Sequence, residues 1–272
     1  MDIRNCDGIE LLKSLEDCSV DLILTDPPYI ISQETGMNKL RDAVDAGEDL
    51  SKTEEDWEVY KTNNEESTKN TPNAKENYLK YGNIYGKKYC VKTNYGLWDE
   101  NFTMDTLEDF VELYYKKLRD GGTCIIFFDL WKLSYLKEMM ERKKFKQIRF
   151  IEWVKTNPIP INSRVNYLTN SREIALLGVK KGKPTFNGEY DNGIYHFPIQ
   201  GGKDRFHPTQ KNIKLFEELI KKHSNENDLV VDTFLGGGTT AIACRNTNRI
   251  FIGSELSEDY YSNILNKTNF GT

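Results

Sequence analysis

Between Asp228 and Glu255 the chain reads as strand, glycine turn, helix and strand again, and this succession constrains the fold more than any other feature. Apolar Leu229-Val230-Val231 runs into Asp232, and Phe234-Leu235-Gly236-Gly237-Gly238-Thr239-Thr240 opens a helical stretch through Asn246. A second short apolar run, Arg249–Gly253, ends at Glu255. Two strands joined through one helix are parallel neighbours, because the crossover carries the chain back to the edge where it began. The same alternation recurs upstream. Val20-Asp21-Leu22-Ile23-Leu24-Thr25 stops at Asp26-Pro27-Pro28-Tyr29, and Cys124–Phe128, Ile148–Val154 and Glu173–Val179 are further strand-like runs. Leu107, Phe110, Val111, Tyr114 and Leu118 keep helical spacing, with Gly121-Gly122 as the expected stop. Helices are expected over 132–144 and 210–222, with a last one closing near Asn266. The expected fold class is α/β, a doubly wound and mostly parallel sheet.

Two stretches break the pattern. Residues 31–95 are rich in Asn, Lys, Glu and Thr and dotted with Tyr78, Tyr81, Tyr85, Tyr89 and Tyr95. With little apolar surface to bury, they read as an insertion that is mobile or folds only against a partner. Residues 180–206 hold seven glycines or prolines without a period and read as a loop-rich module. At the start, a short strand is expected to run to Asp7, followed by a helix over 8–15.

The formal net charge of −5 argues against a polyanion partner until its distribution is considered. From Glu141 to Lys183 there are eleven Lys or Arg against three Asp or Glu, whereas Ser32–Tyr60 carries nine acidic residues and three basic ones. Phosphate binding depends on the local face, so an acidic protein can hold DNA on a basic one. The 141–183 stretch and the lysines Lys180, Lys181 and Lys183 are accordingly expected to face DNA. The five cysteines are scattered, with no paired spacing, which argues for reduced thiols in a cytosol-like compartment and against a disulfide framework or a zinc site. No apolar run approaches a membrane span of ~18 residues, and the first residues lack a signal peptide's pattern.

The chemistry concentrates at two places. Glycines at 236–238, after a strand and before a helix, let a ligand lie against backbone, and the helix N-terminus offers free N–H groups. Glu255 stands 19 residues beyond Gly236 at the end of the next strand, placed to accept hydrogen bonds from a ribose. The spacing alone leaves dinucleotides and S-adenosylmethionine both open. Asp26-Pro27-Pro28-Tyr29 is the second place. Its carboxylate lies at the carboxyl edge of the sheet, neither proline has an N–H, and an aromatic ring follows. A carboxylate oxygen and a fixed carbonyl can both accept from a planar amino group while the ring stacks on the attached base.

Asp26-Pro27-Pro28-Tyr29 together with Phe234-x-Gly236-x-Gly238 resembles the amino-methyltransferases of DNA, with the catalytic motif first and the cofactor motif last. That order is the permuted, or beta, class. His207-Pro208-Thr209-Gln210-Lys211, Trp153-x-Lys155-x-Asn157-Pro158 and Arg249-x-Phe251-Ile252-Gly253-x-Glu255 support it, and the resemblance covers most of 1–30, 96–179 and 207–272. The resemblance implies a catalytic domain made of those three stretches, with 31–95 inserted and 180–206 as the candidate target-recognition module. It implies a circularly permuted Rossmann-like methyltransferase sheet: the strands ending near Asp7 and Asp26 would be third and fourth, those ending at Asp232 and Glu255 first and second. The implied cofactor is S-adenosylmethionine, held by Asp7, Asp26, Lys211, Asp232, Phe234, Gly236, Gly238, Thr239, Thr240 and Glu255, with no metal. Asp26, Pro27, Pro28 and Tyr29 are the implied catalytic residues, and DNA the implied partner. A homodimer and a separately acting cognate restriction endonuclease are further partners to consider. The sequence departs from the family at Thr233, Gly237 and Asn212, where Pro, Ser and Pro are usual.

The implied reaction is direct in-line methyl transfer to the exocyclic nitrogen of a flipped adenine, positioned by Asp26 and the Pro27 carbonyl. In such enzymes an initial Asp goes mostly with adenine and an initial Ser with cytosine. Cytosine amino-methylation, methylation of RNA or of a protein glutamine amide, and an inactive DNA-binding subunit are the alternatives. His207-Pro208-Thr209 reads as a helix entry capped by Thr209 rather than as a base, and His196 and His223 read as surface or loop histidines.

Overall fold

The structure, a computed structural model, describes residues 1–30, 51–84, 102–158, 169–201 and 210–268. The chain divides into two compact units, one of 1–29 with 102–272 and one of 30–101. Among the described residues, the larger unit is an α/β sheet of eight strands. In chain order its elements are β1 (Asp2–Arg4), α1 (Gly8–Ser14), β2 (Val20–Thr25), α5 (Met104–Lys117), β3 (Leu118–Phe128), a 3-10 turn (Leu130–Lys132), α6 (Leu133–Arg142), β4 (Lys146–Lys155), β5 (Arg172–Val179), β6 (Ile194–Phe197), α7 (Ile213–His223), β7 (Leu229–Asp232), α8 (Thr239–Asn246), β8 (Ile250–Ser254) and α9 (Glu258–Thr268). The helices α2 (Glu54–Asn63), α3 (Glu65–Lys69) and α4 (Ala74–Tyr81) belong to the smaller unit.

The strands lie in the order β1-β8-β7-β2-β3-β5-β4-β6. Seven run parallel, and β5 alone is reversed, pairing antiparallel with both β3 and β4. The permuted order expected from the sequence is therefore present: the first two strands in the chain take the third and fourth places, and β7 and β8 the first and second. β1 is joined to the end of β8 through the Asp2↔Ile252 register, a bond from Glu255 N–H to the Arg4 carbonyl (3.1 Å), and the Asn5 amide on the Glu255 carbonyl (2.8 Å). β2 is central and apolar on both faces, as a strand covered on both sides must be. Leu22, Leu24, Ile125 and Phe127 pack with Leu215, Phe216, Leu219 and Ala241 of α7 and α8. Ile23, Cys124 and Ile126, which alternate with them, are equally buried on the other face.

The structure corrects several local expectations. Gly121-Gly122 does not stop a helix; α5 ends at Lys117 and the glycines lie inside β3. Gly121 sits at φ +79°, and a side chain there would meet the Lys183 carbonyl at 2.5 Å, so the pair lets residues 180–183 cross close to the strand. β1 stops at Arg4, and Asp7 instead caps α1, accepting from Ile9 N–H at 2.7 Å. Thr209 is outside the described residues; α7 starts at Ile213 and its cap is Asn212, whose side chain accepts from Leu215 N–H at 3.1 Å. The residue that departs from the family's proline thus serves as the helix cap.

The basic stretch is also redistributed. Because β5 is antiparallel, Glu173 lies at the carboxyl edge of the sheet, and Lys180, seven residues on, emerges roughly 23 Å away at the opposite edge. Lys180 is buried, donating to the Leu118 carbonyl (2.7 Å) and lying over the Tyr115 ring, while Lys181, Lys143 and Arg142 pair with Asp120, Glu112 and Glu108. The expectation that Lys180 faces DNA is overturned, since its ammonium satisfies carbonyls inside the fold. Residues 194–197, expected to be loop, form β6 and pair parallel with β4. Residues 51–84 also contain a small core of their own, with Trp57, Ala74 and Ile84 buried and Tyr60 and Tyr78 rings 4.4 Å apart. Tyr85, Tyr89 and Tyr95 lie outside the described residues. No helix among the described residues is long and apolar enough to cross a membrane, and none of their His, Cys, Asp and Glu side chains form a three-ligand metal group.

His223 is not a surface residue. It is 7% exposed at the end of α7 against the Phe186 ring, and burial, aided by Lys222, lowers its pKa to about 4. An unfolded histidine titrates near 6.5, so this residue takes nothing from stability above that pH and subtracts from it as pH falls toward 4, where the unfolded chain binds the extra proton. His223→Gln cannot take up this proton. In urea unfolding, the stability of wild type relative to this variant should fall by about 2 kcal/mol between pH 7 and pH 4.5; a difference that stays constant with pH would show that His223 is not held neutral.

Candidate active site

The carboxyl edge of the sheet gathers every strand end carrying a polar motif. Its scaffold is Asp232, 3% exposed, at the end of β7. One carboxylate oxygen accepts from Thr25 Oγ1 (2.7 Å) and Phe234 N–H (3.0 Å), the other from Thr240 Oγ1 (2.5 Å). Burial pushes its pKa up to about 6, against the pull of these donors. Asp232 and Thr240 thereby tie the end of β2, the glycine turn and the first turn of α8 together.

The turn itself is formed by Gly236 and Gly238 at φ +50° and +73°, conformations that glycine adopts without steric cost. Gly236 N–H donates to Glu255 Oε2 (2.7 Å), and Glu255 Oε1 accepts from Ser257 N–H (2.9 Å). Glu255 is buried, and burial raises its pKa despite these donors. Thr239 is buried at the start of α8, its hydroxyl 3.3 Å from the Lys211 carbonyl. The Phe234 ring packs on Phe110 (4.7 Å) and Phe102 (5.4 Å), which together form an aromatic wall. Thr233 hydrogen-bonds through its hydroxyl to Tyr114 (2.6 Å), a contact that proline at this place could not make. Asp7 is exposed beyond β1.

The second centre is charged. Asp26 follows β2 with Pro27 buried behind it. Tyr29 OH donates to Asp26 Oδ1 (2.9 Å), and its ring meets Phe128 edge-on at 5.9 Å. Lys211 Nζ lies 2.6 Å from Asp26 Oδ2, 2.7 Å from Glu173 Oε2 and 3.2 Å from Tyr29 OH. Lys155 Nζ pairs with the other Glu173 oxygen at 2.7 Å. Burial alone would lower the pKa of Lys211, but Asp26 and Glu173 outweigh it and hold it well above the usual value. Burial raises that of Asp26, with Lys211 opposing and Glu173 adding. Burial also works to raise Glu173, yet Lys211 and Lys155 together hold it below the carboxylate range. Tyr29 stays a phenol, its pKa raised well above 10 by burial and then by Asp26.

The residues expected to act in catalysis or cofactor binding are all among those described; Asp26, Tyr29 and Lys211 form one group on the edge, Asp232 to Thr240 with Glu255 the other, and Asp7 lies exposed beyond β1, while His207, Pro208 and Thr209 are outside the described residues. Lys211 joins the two groups, its side chain in the first and its carbonyl near Thr239. Sequence reasoning missed Glu173, Thr25 and the Phe102–Phe110 wall. Glu173 is the second residue of β5, beside Arg172, and Lys155 lies inside the Trp153–Pro158 motif, but their pairing arises from the reversed β5. Beside them, Asn157 accepts from Ile199 N–H (2.6 Å), and Trp153 donates to the Phe197 carbonyl (2.8 Å), so the Trp153–Pro158 motif holds the chain that leaves β6.

A family model described as DNA methylase, the N6/N4 methyltransferase group, matches residues 20–267. The Type II methyltransferase M2.MboI of Moraxella bovis is 28% identical over 272 residues, spanning 94% of this chain and 82% of that protein. The crystal structure of the M1.HpyAVI–SAM complex superposes with a TM-score of 0.63 at 25% identity, covering 99% of both chains. The PvuII DNA methyltransferase, cytosine-N4-specific, shares the fold with a TM-score of 0.63 at 17% identity, covering 96% of this chain and 83% of that one.

Thr25 is wholly buried, and its hydroxyl donates to Asp232 with the Tyr114 hydroxyl as a further neighbour. Thr25→Val keeps the shape and removes that donor, so it should cost about 1–3 kcal/mol in urea unfolding, with Thr25→Ser recovering part of the loss. Equal stability of Thr25→Val and wild type would remove the Asp232 knot as a structural element.

Proposed function

Because the chain belongs to the DNA methylase family, of N6/N4 type, we propose that it transfers a methyl group from S-adenosylmethionine to the exocyclic amino nitrogen of adenine in a specific DNA sequence. The observation that carries this reading is the Asp26–Pro27–Pro28–Tyr29 loop at the carboxyl edge, beside the glycine turn. An initial Asp favours adenine; the shared fold of a cytosine-N4 enzyme means that fold alone does not choose the base.

The residues at the glycine turn fit the cofactor. Gly236 and Gly238 leave backbone uncovered by side chains, α8 begins directly after them, and the paired oxygens of Glu255 suit the two hydroxyls of a ribose. These residues would hold it, with Phe234 beside them and Asp7 at the neighbouring strand end. Thr239, Thr240 and Asp232 would act by fixing the turn. When bound, S-adenosylmethionine supplies an electrophilic methyl on a sulfonium.

The protein's own part is positioning and electrostatics. An exocyclic amino group is a poor nucleophile because its lone pair is delocalised into the ring. Hydrogen bonds from its two N–H groups to Asp26 and the Pro27 carbonyl would restore density on nitrogen as the N–C bond forms and the S–C bond breaks, the electron pair staying on sulfur; the proton that nitrogen then sheds would pass to Asp26 or water, without a covalent enzyme intermediate. The target atom is out of reach in a stacked duplex, so the base would flip onto Tyr29. In the free protein both Asp26 oxygens already have a donor, Tyr29 OH on Oδ1 and Lys211 Nζ on Oδ2, so the incoming amino group would displace or share one of them. The segments best placed to read the target are those leaving the catalytic edge, 156–158 and 198–201, the latter within the proposed recognition module of 180–206. Residues 1–30, 96–179 and 207–272 would supply catalysis and 31–95 would remain an insertion. A cytoplasmic setting, a homodimer and a separately acting cognate restriction endonuclease complete the proposal.

Asp26→Ala should abolish methyl transfer while leaving S-adenosylmethionine affinity within about tenfold, or ~1.4 kcal/mol, because the glycine turn and Glu255 carry cofactor binding. Mass spectrometry of digested DNA should find 6-methyladenine with the wild type. Methylated cytosine would overturn the base assignment, and activity in Asp26→Ala the mechanism.

A further inference from the structure

Glu173 has no part in the reading above, yet its partly buried carboxylate lies 2.7 Å from Lys211, the lysine paired with Asp26. Four charged groups from four parts of the chain alternate in sign: Asp26 after β2, Lys211 before α7, Glu173 in β5 and Lys155 in β4. In the free protein Lys211 is shared, 2.6 Å from Asp26 and 2.7 Å from Glu173. The substrate's amino group needs an Asp26 oxygen as acceptor, and Lys211 stands on one of them. A lysine with a single counter-ion would be costly to displace, because a buried ammonium stripped of its partner loses several kcal/mol. A lysine with two has somewhere to remain.

We propose that Glu173 is a positioning residue for methyl transfer, retaining the Lys211 ammonium when the target amino group displaces it from Asp26. The proposal rests on the assignment of Asp26 to the target amino group. Lys155 fixes the other Glu173 oxygen, so the carboxylate cannot follow Lys211 or swing toward the substrate. Methyl transfer also moves positive charge from sulfur toward the amino nitrogen. An ammonium left on Asp26 would oppose that movement; one drawn to Glu173 opposes it less, as charge repulsion falls with distance.

The test is a double-mutant cycle in the full-length protein, with single-turnover methylation of DNA and S-adenosylmethionine affinity read in parallel. Glu173→Gln should slow transfer at least tenfold with cofactor affinity unchanged within about twofold, because Lys211 then remains on Asp26. Lys211→Met placed in the Glu173→Gln background should make transfer faster than in Glu173→Gln alone, since the group left clamping Asp26 is gone. Glu173→Asp, which keeps the charge, should recover a rate between the two and serves if Glu173→Gln fails to fold. A wild-type rate in Glu173→Gln, or a double variant as slow as or slower than Glu173→Gln, would overturn the proposal. With Asp26→Ala inactive, those results leave the assignment of Asp26 standing; activity in Asp26→Ala would remove that assignment and this inference together.

Discussion

Asp232 is a carboxylate placed where burial is costly and answered by three donors from three elements. Each donor removes part of the desolvation cost, and each also fixes a piece of backbone. Thr25 brings the end of β2, and with it Asp26 one residue further on. Phe234 N–H bends the chain into the glycine turn, and Thr240 sets α8 at the turn's far side. The two functional groups of the edge are therefore indexed to one buried side chain. The glycine turn has its shape because Asp232 and Glu255 hold it from either end.

The charged centre has a different origin. Asp26, Glu173 and Lys211 are distant in the chain and meet because β2, β3 and β5 are successive neighbours in the sheet. Reversing β5 brings its first residues, rather than its last, to the carboxyl edge. Had β5 run parallel, Lys180 would have come to this edge in place of Glu173. Its ammonium instead serves the Leu118 and Lys116 carbonyls at the other end, as a structural donor.

Much of this was legible in the sequence, for identifiable reasons. β2, the glycine turn and the two strands that flank α8 are short apolar runs with sharp polar ends, and their period and punctuation leave one reading. The Asp-Pro-Pro-Tyr and glycine motifs identified the edge because local chemistry defines them. What was not legible depends on partners. Lys180 and His223 have polar side chains whose burial is decided by α5 and Phe186, which no local pattern announces. Gly121-Gly122 looked like punctuation but serves a crossing strand end. β6 is four residues long and half apolar, too short to show a period, and exists because β4 offers it an edge. The helices of 51–84 are stabilised by a few aromatic contacts in a mostly polar stretch, which composition averages away.

The place of β1 at the side of β8 has a consequence for the order in which the molecule can be assembled. During synthesis β1 emerges long before β8, the strand it pairs with among the described residues. β2 is likewise open on one side until β7 appears. Closing these pairings spans nearly the whole chain, the kind of long-range contact that slows folding. Until β7 is made, the nascent chain therefore presents an unpaired edge of the central β2, the feature that makes a folding intermediate vulnerable to misassociation.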